Sequence, residues 1–218
     1  LAAPPAAVAV SGDLDPTFGG DGVVRTDLTR FEDDGFAVTL PFPGSSPPDR
    51  TLLDAEIALR FSEIDSAEEL YNQVLEAATT NNERARALAG IGQIAFERGN
   101  PRRAVQCLEQ ALSVSRTDAT DQPSLADTLG RAYAMLDDLE PAIRLFRQSL
   151  ERANQRRNSP EAVRFGVLLA NAYIDNGEFG EAERVLTATV EKAQNARDPV
   201  FRARIYWSLS RLHTLQAE

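Results

Sequence analysis

At 218 residues, with 43% hydrophobic residues, a formal charge of −10 and a pI near 4.7, the chain can bury one good core and leave room for a second small domain. Its charges are mixed in sign rather than gathered in basic blocks, which argues against direct contact with nucleic acid. A single cysteine, Cys107, excludes an internal disulfide, and a single histidine, His213, leaves no cysteine and histidine cluster for zinc. With no EF-hand loop and no run of eighteen apolar residues, neither a metal, a cofactor nor a membrane span is expected.

Seven of the twelve prolines and six of the thirteen glycines fall in the first fifty residues, a density that breaks helices, so residues 1–50 read as an irregular arm. Leu1 to Val10 is an Ala/Pro/Val run that reads as the tail of a signal peptide with a small-residue cleavage site. The stretch Asp13-Leu14-Asp15-Pro16-Thr17-Phe18-Gly19-Gly20-Asp21-Gly22-Val23-Val24-Arg25-Thr26-Asp27 follows. It is similar to the opening of the delta-sixty repeats of secreted bacterial β-repeat proteins, over residues 13–38. One such unit cannot close a propeller or sandwich, so at most a short hairpin around Gly19 to Gly22 is expected. Its Asp-rich loops suit solvated turns better than a calcium site.

From residue 51 the texture becomes helical, with segments rich in Ala, Leu, Glu, Arg and Gln. The breaks between them include Gly99-Asn100-Pro101, Asp137 to Pro141 and Asn176-Gly177-Glu178, and Pro101 and Pro141 suit the first turn of the helix that follows. A pattern then recurs. Leu129-Gly130, Tyr133, Ala142 and Phe146 are matched upstream by Ile91-Gly92, Ala95, Ala104 and Leu108, and downstream by Leu169-Ala170, Tyr173, Ala182 and Leu186. In each unit the small residue of the first helix precedes that of the second by twelve. Small residues at these places let two antiparallel helices approach, and the large residue a turn away fills the gap. One hairpin cannot bury its apolar face alone, so such units come in stacks.

This spacing resembles the tetratricopeptide repeat, which implies an all-α solenoid of helix hairpins. The expected units are a degenerate repeat over 51–80 marked by Ala67, Tyr71 and Val74-Leu75, repeats at 83–116, 123–156 and 160–195, and a half repeat at 199–218. The second-helix alanines at 67, 104, 142 and 182 are 37, 38 and 40 residues apart, against a usual period of about 34, which predicts long loops at Arg116 to Gln122 and Arg156 to Ser159. Long-period arrays of this kind are similar to the sensor halves of bacterial helix-turn-helix transcriptional regulators, a likeness that Arg197 to His213 sharpens. No DNA-binding helix pair accompanies it. Between the export suggested by the arm and the cytoplasm suggested by the repeats, the longer match favours the cytoplasm.

The resemblance implies that first helices line a concave groove. Residues in the groove register include Arg131, Asn171, Trp207 and Arg211, with Arg164 and Arg204 one turn earlier. They form a candidate clamp: arginines for a carboxylate, Asn171 for a peptide backbone and Trp207 as a flat apolar anchor. An ordinary solvated helix face is the competing account, since all but one of the cations are Arg. His213 is expected at a core aromatic place and Cys107 as a small buried apolar residue. Gly90 and Gly92 follow no strand and fit close helix packing, not a phosphate loop. Phe201, Ile205, Leu209 and Leu212 form one stripe of the last helix, while Tyr206 and Trp207 lie outside it, a surface suited to a partner or a second copy. The expected function is a non-enzymatic protein- or peptide-binding scaffold. The alternative is the peptide-sensing part of a transcriptional regulator.

Overall fold

The computed structural model describes residues 47–194 and 199–216, all of whose regular structure is helical. In order these are α1 (Pro47–Arg60), α2 (Ile64–Ala77), α3 (Asn81–Glu97), α4 (Pro101–Ser115), α5 (Pro123–Met135), α6 (Leu139–Gln155), α7 (Ser159–Asp175), α8 (Phe179–Gln194) and α9 (Pro199–Gln216), with a 3₁₀ turn at Ala119–Asp121. Helix begins at Pro47, inside the proline-rich stretch, because Pro-Pro is tolerated in a first turn whose N–H groups have no partner. The signal-like run and the Gly19 to Gly22 hairpin lie outside the described residues.

Successive helices pack as antiparallel hairpins α1/α2, α3/α4, α5/α6 and α7/α8, with first helices α1, α3, α5, α7 and α9 forming one layer. All four second-helix alanines, Ala67, Ala104, Ala142 and Ala182, are fully buried. The hairpin turns share one geometry. A residue with positive φ, at Ser62, Gly99, Asp137 or Gly177, lets the next N–H reach back to a carbonyl five residues earlier. Those bonds run from Glu63 to Ala58, Asn100 to Ala95, Asp138 to Tyr133 and Glu178 to Tyr173, at 2.8–3.0 Å. The degenerate first unit is therefore a full hairpin, although Ser62 replaces the glycine of its turn.

Local chemistry sets the helix starts. Thr80 accepts from Glu83 N at 3.1 Å while Glu83 reaches back to Thr80 N at 3.0 Å, a reciprocal cap with a buried carboxylate. Asn100 and Asn158 cap α4 and α7 in the simpler way. The long loop expected at Arg116 to Gln122 is present between α4 and α5, but the one expected at Arg156 to Ser159 is not. Residues 156–158 are only a tight turn, and the extra length there lies in α6 and α7, each 17 residues.

Glycines mark the close approaches. A Cβ on Gly92 would lie 2.7 Å from the Leu108 side chain, and one on Gly130 2.3 Å from the Phe146 ring. Gly90 is equally tight against Tyr71 in the preceding hairpin, so both α3 glycines serve packing. Cys107 is half-buried rather than in the core. It packs at the edge of the cluster around Tyr71 and Ile91, and burial pushes its thiol pKa up against the opposing pull of Arg103.

The segment between α4 and α5 is held by charge. Asp118 accepts from Thr120 N at 2.8 Å and Thr120 Oγ1 at 2.6 Å, and Arg152 lies 3.8 Å away. Those hydrogen bonds, with the arginine, hold its carboxyl below the ordinary value of 3.8. A lowered folded-state pKa contributes stability above the ordinary carboxylate range and loses it as pH falls through the folded value. Asp118→Asn should therefore be less stable than the parent by a constant margin above pH 4 or so, and the margin should close on further acidification. Urea titrations at a series of pH values check this, and a margin that widens in acid would contradict it.

Candidate functional site

Contacts between successive first helices form a ladder. Glu56 of α1 pairs with Arg86 of α3 at 2.5 Å, and the Arg131 guanidinium of α5 lies 4.8 Å from the ring centroid of Phe96 of α3. Asp127 of α5 stands 3.6 Å from Arg164 of α7, and Asp175 of α7 is bonded to Arg211 of α9. The Asp127–Arg164 rung is the most enclosed, with side chains 17% and 14% exposed. Removing one partner of such a buried pair is costly, whereas the half-exposed Glu56–Arg86 pair contributes little.

This arrangement locates the six predicted clamp residues. Arg131 and Arg164 converge, but on the carboxylate of Asp127, which is 3.8 Å from Arg131. Arg211 is tied to Asp175. Arg204 and Trp207 stand exposed on α9, Trp207 to 63%. Asn171 lies half-buried on α7, and its Oδ1 is shielded from solvent without a hydrogen-bond partner. Asp127 and Arg131 are only four residues apart, but the pairings of Asp127 with Arg164 and of Asp175 with Arg211 span 36 or more residues and were legible only as groove-register positions.

His213 departs from expectation. It occupies the place held by Tyr133 in α5 and Tyr173 in α7, yet it is exposed. Tyr173 is covered by its surroundings and its hydroxyl accepts from Arg147 of α6 at 2.5 Å. Among the described residues no second helix follows α9, so its corresponding face is open. The buried stripe of α9 is Ile205, Ser208 and Leu212.

A feature missed in the sequence lies at the other end. A cavity of about 620 Å³ opens between α1, α3 and α5 and reaches α4. Its cause is a short helix. α3, α7 and α9 begin eleven residues before their small residues Gly92, Ala170 and Ser210, but α5 begins at Pro123, only seven before Gly130. One helical turn is thus absent from the first-helix layer, and the 3₁₀ segment does not fill its place. The readable signal was Pro123, which sets the start of α5. At the same level the core divides, with one cluster around Tyr71 and Ile94, a small one around Leu108 and Leu125, and a large one around Phe146 and Tyr173. Tyr71 and the Glu56–Arg86 pair line the cavity, and the phenol pKa is raised first by burial and then by Glu56, with Arg86 opposing.

The fold has known relatives. The family model described as Tetratricopeptide repeat matches residues 55–117, and a second model of the same description matches 128–199, together more than half of the chain. The chain belongs to the tetratricopeptide repeat family. Solved structures agree with this tetratricopeptide fold. The apo form of RapI has a TM-score of 0.68 at 14% identity, covering 79% of this chain and 65% of that one. A putative kinesin light chain repeat protein from Podosopora anserina has a TM-score of 0.63 at 21% identity, covering 79% of this chain and 91% of that one. A Rap protein complexed with Competence and Sporulation Factor has a TM-score of 0.65 at 12% identity, covering 80% of this chain and 50% of that one. The chain thus spans just under two thirds of RapI and half of the complexed Rap protein. No curated protein matches it in sequence. Among the described residues no three His, Cys, Asp or Glu side chains are grouped to hold a metal ion, and no helix is long and apolar enough to cross a membrane.

Proposed function

We propose that this tetratricopeptide chain is a non-enzymatic scaffold that binds a protein or peptide along its first-helix face. Asn171 carries the reading. A buried amide oxygen without a donor is costly in a folded protein, and its place on the groove register makes a partner's N–H the natural donor. Trp207 and Tyr206, each 63% exposed, supply apolar anchors near the same end. Arg131, Arg164 and Arg211 already face Asp127 and Asp175, so a bound carboxylate would compete with those acids. Arg204 has no ion pair among the described residues and is the cation best placed to recruit one. The complex of a Rap protein with Competence and Sporulation Factor shows a structural neighbour binding a factor, which supports the same use here.

Selection of peptides from a random displayed library on the whole chain tests the proposal. Selected peptides should bind Asn171→Ala about tenfold more weakly, the effect of one lost buried hydrogen bond. Arg131→Ala combined with Arg211→Ala, with helicity checked by circular dichroism, should also weaken them. Selection of no binder overturns the function, and binders indifferent to all three substitutions overturn the clamp.

A further inference from the structure

The cavity left by the missing first turn of α5 is a site in its own right. We infer that it takes a bulky uncharged side chain, aromatic or leucine-like, from an extended peptide. The inference rests on the peptide-binding reading but concerns the opposite end of the groove from Asn171 and Trp207.

Three observations select this ligand class. The volume of about 620 Å³ falls within the range of about 300–1,000 Å³ typical of ligand pockets, and far exceeds the interstices of a packed core. The floor is apolar, made by Ala85 and Ala89 of α3, Leu108 and Ala111 of α4, and Leu125 of α5. Small residues on α3 leave the floor deep, and an apolar side chain placed there would gain burial without stranding a polar group. The rim carries neutral polar groups besides the Glu56–Arg86 pair and Arg60, which lies exposed at the end of α1. Asn81, Asn82 and Gln122 can each donate and accept, and Thr128, whose hydroxyl donates to the Ser124 carbonyl at 3.1 Å, can accept, which together serve the N–H and C=O groups of an extended peptide.

Of the two arginines that line the cavity, Arg60 is exposed at its edge and Arg86 is already paired, which disfavours an acidic ligand on the apolar floor. Arg86 is engaged by Glu56 at 2.5 Å, so an acidic side chain reaching it would have to displace a carboxylate already in place. An acid on the apolar floor would also lose its hydration.

The direct probes are N-acetyl-phenylalanine amide and N-acetyl-aspartate amide, titrated into the isotopically labelled whole chain and followed by backbone amide shifts. The phenylalanine amide should move Ala85, Ala89, Ser124 and Thr128, and the aspartate amide should leave them unmoved. Ser124→Trp, at the half-buried rim, should plug the site and abolish the shifts. Thr128→Phe repeats the test from a second position should the first variant lose helicity. Absence of shifts at these residues, equal response to both amides, or shifts that survive both plugs would overturn the site. Library-selected peptides separate this inference from the function it rests on. If they bind but ignore the plugs, the pocket is wrong and the scaffold stands. If none binds, the scaffold falls and the pocket with it.

Discussion

Phe146→Ala should cost about 3–5 kcal/mol of unfolding free energy, a large part of the roughly 5–15 kcal/mol that holds a domain folded. Phe146 is 1% exposed, and its ring fills the space above Gly130 of α5 while its centroid lies 6.4 Å from that of Phe165 of α7. One side chain thus joins three helices and two repeats. The hole left by Ala cannot be closed from α5, because Gly130 has no side chain to move into it. In a stacked array stability is nearly a sum of unit and interface terms, so the loss should be local to the units that Phe146 joins. Hydrogen exchange should show faster opening of amides in α5 to α8, with those around Leu52, Tyr71 and Ile94 little changed, since they belong to a separate cluster. Urea unfolding followed by circular dichroism gives the magnitude. A loss under 1 kcal/mol, or equal acceleration throughout, would show that the division of the core does not limit cooperativity.

The repeats were readable because packing makes strict demands on residue size. A small residue must sit where two helices touch, a large one a turn away, and both demands recur at a spacing of twelve in α3/α4, α5/α6 and α7/α8. The turns were less readable. Ser62 and Asp137 take the left-handed conformation that Gly99 and Gly177 take, since the bond back to the preceding helix compensates for the strained φ. Polar residues misled the placing of part of the extra period, because Arg156 to Asn158 form only a tight turn before α7 where a long loop was expected, whereas the loop read at 116–122 is present. The ladder was hidden for another reason. Arginines mark any solvated face, and only the fold shows that Arg164 meets Asp127 and Arg211 meets Asp175. His213 shows the converse, for residue pattern alone placed it in a core, and in the fold it is exposed.

The ladder and the cavity also divide the face chemically. From Asp127 to Arg211 the rungs are ionic and fairly enclosed, so a ligand there must exchange charge partners or use Asn171 and Trp207. Beside α3 the surface is apolar beneath a rim of neutral polar groups, the paired Glu56 and Arg86, and Arg60. A peptide crossing both would present an uncharged bulky residue at one end and polar or acidic groups at the other.

Gly90→Ala should destabilise the chain by about 1–3 kcal/mol, although helix propensity alone predicts the opposite. In a helix interior Ala is favoured over Gly by roughly 0.5–1 kcal/mol, through the smaller entropy lost on folding. Packing reverses the sign. The added methyl would lie 2.2–2.5 Å from three carbons of the Tyr71 ring, a rigid group that is 2% exposed. Gly180, near the start of α8, provides the comparison, since a Cβ there meets nothing within 4 Å. Gly180→Ala should therefore be stabilising by up to about 1 kcal/mol. Removing the obstacle should restore the intrinsic preference: in a Tyr71→Ala background the Gly90 substitution should become neutral or favourable, giving a coupling of roughly 1–3 kcal/mol in a double-mutant cycle. Both residues also line the cavity, so Gly90→Ala should weaken the N-acetyl-phenylalanine amide response while Gly180→Ala leaves it intact. A Gly90→Ala variant more stable than the parent would mean that α2 and α3 are not pressed together through Tyr71, and the depth of the pocket beside them would need another cause.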